Sequence, residues 1–150
     1  HPCCVVSMSD SLPIYENGQD VRDRALALAC QTVRFCRQLY DAGGVGRVLA
    51  PQLINCSTSV PAMLEEARAA ESRRDFISKC SIALKECREC HVRLTVLETC
   101  AIGAPAQVKL LRQEAHELVS IIGAIIRNTR RNAGLSPGAR RSAPSRPVTT

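Results

Sequence analysis

Between Phe76 and Leu97 the chain sets Phe76, Cys80, Ala83, Cys87, Cys90, Leu94 and Leu97 at spacings of 4, 3, 4, 3, 4 and 3. Alternating threes and fours keep one stripe on one face of an α-helix, the seam of a coiled-coil-like bundle. A lone helix with such a stripe cannot bury it, so the pattern demands partner helices. Three further stretches supply them. Val21, Ala25, Leu28, Thr32, Phe35 and Leu39 form a stripe behind Asp20, a candidate N-cap, and predict a first helix to about Tyr40. Leu49, Leu53, Cys56, Val60, Leu64 and Ala67 predict a second helix from about Arg47 to Ala70. Val108, Leu111, Ala115, Leu118, Ile122 and Ile125 predict a fourth, opened by Pro105.

The connections agree with this. DAGGVG at 41–46 is a break, because adjacent glycines favour turns. Ser72 and Asp75 form a capping pair that opens the third helix, and IGAP at 102–105 ends it. Pro61 lies inside the second helix, removes a backbone donor, and is expected to kink or split it. Ile121 and Ile126 give the fourth helix a second apolar strip, suited to a central helix or a subunit interface. No strand pattern competes. The expected fold is all-α, an antiparallel up-down four-helix bundle over residues 20–132. A flexible segment is expected at 1–19 and a disordered basic tail at 133–150. The first residue is His1, and Met8 is the candidate start, with 1–7 an upstream extension.

With 3% aromatic residues and no Trp, the core rests on Leu, Ile, Val, Ala and Cys. The nine cysteines are an odd number, most fall inside helical patterns, and no export signal precedes them. They read as small buried hydrophobes in a reducing, cytoplasmic setting. No apolar run is long enough for a membrane span.

Cys87, Cys90 and His91 spell C-x-x-C-H, the attachment signature of c-type haem. Both thiols lie on the seam, where core residues belong, and no export signal accompanies them. The same three residues at i, i+3 and i+4 are the candidate ligands for zinc, with Cys80 or Cys56 as a fourth. Core packing is the leading reading of the two cysteines, and metal or haem binding is the lesser one. His116 and Glu117 begin a zinc-protease pattern, but Ser120 stands in place of the second His. No Glu-x-x-His pair, P-loop or nucleophile–base pattern is present, so no enzymatic activity and no cofactor are expected.

Residues 1–126 hold 14 Lys and Arg against 14 Asp and Glu, so the net charge of +6 belongs to residues 127–150. A basic end on a neutral body points to an acidic partner, RNA or DNA first. The candidate phosphate contacts are Arg127, Arg130, Arg131, Arg140 and Arg141, with Arg34, Arg37, Arg73, Arg74, Lys79 and Arg88 as surface partners. The alternative is a protein-interaction scaffold with a solubilising tail.

The segment STSVPAMLEEARAAESRRDFISKCSIALKECRE, residues 57–89, resembles the four-helix-bundle proteins encoded in intervening sequences of bacterial 23S ribosomal RNA genes. The same superfamily holds the accessory variability determinant of diversity-generating retroelements. The family's Ser-Ile-Pro segment is matched by Ser59, Val60 and Pro61. Its helix-3 opening is matched by Ser72, Asp75, Phe76 and Ile77, and its Ser-Ile-Ala by Ser81, Ile82 and Ala83. The chain departs at Met63, where the family has Asn, and at Ala67, where it has Gly. Ile54 and Asn55 replace its Arg pair, and Cys87 and Cys90 replace Leu. The resemblance implies a non-enzymatic bundle assembled as a ring-like homopentamer. In the retroelement branch it implies binding to nucleic acid and to a reverse transcriptase.

Overall fold

The computed structural model describes residues 20–132 and Gly134. The expected segment 1–19, and the expected tail apart from Gly134, lie outside the described residues. Four helices form: α1 (Val21–Ala42), α2 (Gly44–Arg68), α3 (Arg73–Thr99) and α4 (Pro105–Asn132). The described residues contain no strand. Each helix packs on the next, and α4 returns to pack more sparsely on α1. Lys79 of α3 bonds Glu66 of α2, and Arg93 of α3 bonds Gln52 of α2, so numbering rises along α3 as it falls along α2. No helix among the described residues is long and apolar enough to cross a membrane.

The caps form as their chemistry dictates. Asp20 accepts a hydrogen bond from the Arg22 backbone N–H at 3.0 Å. Ser72 Oγ accepts from the Asp75 N–H at 3.1 Å, while the Asp75 carboxylate accepts from the Glu71 N–H at 3.4 Å. The shorter Asp thus reaches the residue before the cap, where the Glu of a standard capping box would reach the cap itself.

The DAGGVG break is shorter than expected. Gly43 alone separates α1 from α2, and Gly43 and Gly44 take φ of 79° and 59°. Two left-handed glycines reverse the chain in minimal length, so α1 runs on to Ala42 and α2 starts at Gly44, not Arg47. Gly46 is helical and buried. A Cβ there would lie 2.8 Å from the Leu39 carbonyl oxygen, so the missing side chain lets α2 lie close on α1.

Pro61 does not split α2, which is continuous from Gly44 to Arg68. An internal Pro costs about 3 kcal/mol in an isolated helix. Val60 and Leu64, on either side of it, are 1% and 4% exposed, and Leu53 and Cys56 extend the same face. Each buried aliphatic side chain returns about 1.5–3 kcal/mol, so packing outweighs the lost bond. Hydroxyls of Ser57, Thr58 and Ser59 bond the carbonyls of Ile54 and Asn55 in the turn before it.

The seams form the core. Cys80, Ala83, Cys87, Cys90, Leu94 and Leu97 of α3 are all buried, as are Ala25, Leu28, Thr32, Phe35 and Leu39 of α1. In α4 the last seam position is Ile126, not Ile125, which is only partly buried. A fourth-residue step from Ile122 holds the core face where a third-residue step would rotate off it.

Candidate nucleic-acid interface

The connection between α2 and α3 and the end of α4 meet at one end of the bundle. Arg73 Nη1 donates to the Asn132 carbonyl oxygen at 3.3 Å, fixing the first turn of α3 beside the last turn of α4. Arg73, Arg74, Arg127, Arg130 and Arg131 are all exposed there. Arg130 and Arg131 occupy the last turn of α4, where the partial negative charge of the helix end favours cations. Arg131 Nη2 donates to Asn128 Oδ1 at 3.0 Å. Gly123 leaves room for Arg127, whose guanidinium would stand 3.2 Å from a Cβ at that position. Of the acids at the same end, Asp20, Glu65 and Glu66 are held in ion pairs with Arg22, Arg68 and Lys79, and Asp75 is engaged with the backbone. Positive charge therefore predominates, on five guanidinium groups suited to phosphate oxygens.

Of the other candidates, Lys79 lies within two turns of Arg73 on α3, and the rest lie farther away. Arg22 reaches Glu65 at 3.7 Å, so α1 begins near the end of α2. Arg34 and Arg37 are exposed on α1, a helical distance of about 20 Å from that start. Lys79 is paired with Glu66 at 3.0 Å, which raises its pKa and occupies its charge. Arg88 lines a groove between α2 and α3. Arg140 and Arg141 lie outside the described residues.

The C-x-x-C-H residues do not converge. Cys87 and Cys90 are 0% exposed. Cys87 Sγ donates to the Ala115 carbonyl oxygen at 3.4 Å, and burial pushes its pKa up to about 12. A hydrogen bond with Cys56, then burial, holds Cys90 as the thiol. His91 instead faces α4, its ring centroid 5.4 Å from that of His116 at 43°. Among the described residues no three His, Cys, Asp or Glu side chains are grouped to hold a metal ion. Covalent haem would require opening the core at both thiols.

Sequence reasoning missed one buried ion pair. Glu114, 8% exposed, accepts from Arg24 Nε at 2.9 Å and Nη2 at 2.8 Å, and Arg24 also reaches Glu117 at 2.6 Å. These bonds, Glu114 first, raise the Arg24 pKa above its already high range. The available signal was Glu114 itself, three residues after Leu111 and four before Leu118, within the seam register.

The arrangement has solved relatives. A crystal structure of a protein of unknown function from the S23 ribosomal protein family of Bacteroides thetaiotaomicron is similar, with a TM-score of 0.66 and 29% identity. The match covers 71% of this chain and 98% of that one. No curated protein matches the chain. The family model for the 23S rRNA-intervening sequence protein matches residues 18–124, most of the four-helix region. The chain therefore belongs to the 23S rRNA-intervening sequence protein family.

Proposed function

We propose that this protein is a non-enzymatic, cytoplasmic, self-associating bundle of antiparallel up-down topology that binds RNA or DNA through phosphate contacts. The observation that carries this reading is the bundle end at which Arg73 and Arg74 stand beside Arg127, Arg130 and Arg131. Residues more than fifty positions apart come to one bundle end, where Asp20, Glu65 and Glu66 are already occupied by Arg22, Arg68 and Lys79. Phosphate contacts need this charge and no base-stacking platform, and a chain with 3% aromatic residues offers few such platforms. Association into a ring would repeat the surface by symmetry, and avidity would raise a modest affinity per copy. Resemblance to the retroelement accessory protein extends the proposal to a reverse transcriptase as protein partner. The test is gel retardation of short RNA and DNA duplexes by the full chain and by Arg73→Ala/Arg74→Ala/Arg130→Ala/Arg131→Ala. The reading requires retardation by the first and its loss in the second.

A further inference from the structure

The C-x-x-C-H stretch sets His91 next to Cys87 and Cys90 along the chain, but α3 gives them different neighbours. The two thiols enter the core, while His91 meets His116 of α4, with ring centroids 5.4 Å apart and planes at 43°. The bond from Cys87 Sγ to the Ala115 carbonyl oxygen holds α3 on α4 beside this contact. The rings therefore stand on two packed helices, where their spacing is fixed, and not on a loop. Nε2 of His91 is buried and has no hydrogen-bond partner. A buried polar atom in that state is costly, so a ligand that engages it is favoured. His116 is exposed, which opens the pair to solvent on one side.

We propose that His91 and His116 together bind one divalent transition-metal ion, of the Zn²⁺ and Cu²⁺ class, between α3 and α4, with water in its remaining positions. The spacing fits such an ion. With metal–nitrogen bonds of about 2.1 Å, two imidazoles on one tetrahedral ion have ring centres about 5 Å apart. The rings already stand near that separation, so turning one nitrogen of each toward a common point asks for ring rotation and no movement of the helices. The donors decide the metal. Neutral imidazole nitrogens suit Zn²⁺, Cu²⁺ and Ni²⁺, whereas Mg²⁺ and Ca²⁺ take oxygen ligands. Burial first, then the charges of His116 and Arg112, holds the His91 pKa below its usual range, so its ring is neutral at pH 7 and able to ligate. Arg112 is paired with Glu98, which offsets the positive charge that would repel a cation. Two side chains are fewer than the four of a structural zinc site, so the ion is exchangeable and keeps open positions toward solvent. Bound there, it clips α3 to α4.

The experiment is calorimetric titration of the full chain with Zn²⁺ at neutral pH and in excess Mg²⁺, for the wild type, His91→Gln and His116→Gln. His116 is exposed, so its substitution leaves the core packing untouched, and circular dichroism checks the helices of both variants. Exposed thiols such as Cys30 and Cys100 also take up Zn²⁺, so the readout is the difference between wild type and variant. Each variant should bind one equivalent fewer than the wild type, or bind that equivalent more than about tenfold more weakly. In nuclear magnetic resonance spectra of the wild type, the imidazole protons of His91 and His116 should shift together as that equivalent is added. Mg²⁺ alone should shift neither. A His116→Gln variant that binds as many equivalents as tightly as the wild type overturns the proposal. So does Zn²⁺ that shifts only one of the two histidines, or neither.

Discussion

Arg24 of α1 grips Glu114 of α4 through two parallel hydrogen bonds of 2.9 and 2.8 Å, and both side chains are largely out of water. The pair joins α1 to α4, the most sparsely packed of the four helix pairings. It therefore fixes the register of the one helix pairing not set by a connecting turn. Removing one partner strands a charge, so Glu114→Ala should destabilise by about 3 kcal/mol. Glu117→Ala, at a partner 61% exposed, should cost under about 1 kcal/mol. Arg24→Met/Glu114→Leu should cost clearly less than the sum of its single changes. Urea unfolding of these five variants, the single changes Arg24→Met and Glu114→Leu included, measures all of this.

The turn from α3 to α4 depends on Gly103. Its φ is 85°, and an added Cβ would meet the Phe35 ring at 2.7 Å. Gly103→Ala should therefore cost more than the 1–2 kcal/mol of left-handed strain alone, by the price of displacing a buried ring. Gly43→Ala, at φ 79° and ψ −160° with open space around it, should cost the backbone strain alone, about 1–3 kcal/mol. Thermal melts of the two variants check the order.

The His91–His116 contact makes stability depend on pH. Burial first, then the charges of His116 and Arg112, lowers the His91 pKa below its usual 6.5. Below that value the unfolded chain holds more protons than the folded one, so stability falls as pH drops through about 6.5 toward the lower folded pKa. It is fully present above that window. His91→Gln should flatten the slope in denaturant titrations between pH 5 and 7.

The core cysteines should be chemically silent. Burial holds the Cys87 pKa near 12, and Cys36 is pushed to about 12 in the same way, so neither is a thiolate at neutral pH. Alkylation followed by peptide mass spectrometry should label Cys100 in the native protein and Cys36, Cys87 and Cys90 only after denaturation. Labelling of Cys87 in the native state would contradict the packed seam.

What the sequence made legible was local. Caps at Asp20 and Ser72 and the α3 seam each depend on residues within one or two turns, where spacing alone decides the face. The shortened turn at Gly43 and the unbroken α2 were harder, because Gly46 against Leu39 and the packing around Pro61 act between helices. The Arg24–Glu114 pair spans ninety positions and needs the register of two helices before its members meet. The basic end had the same difficulty: Arg73 and Arg74 looked like one helix start and Arg127–Arg131 like one helix end. Nothing short of the bundle sets them side by side. Arg34, Arg37 and Arg88 carried the same sequence signal and are placed apart from that end, and Lys79, near it, is taken up by Glu66.

The most direct test of the phosphate-binding surface is the salt dependence of duplex binding by the full chain. Each phosphate neutralised contributes about 0.9 to the slope of log K against log salt. The wild type should bind at low salt and weaken steeply as salt rises. The Arg73→Ala/Arg74→Ala/Arg130→Ala/Arg131→Ala variant should lose about 3.6 from that slope, with its helices intact. A wild type that fails to bind at low salt, or a variant with an unchanged slope, would contradict the account.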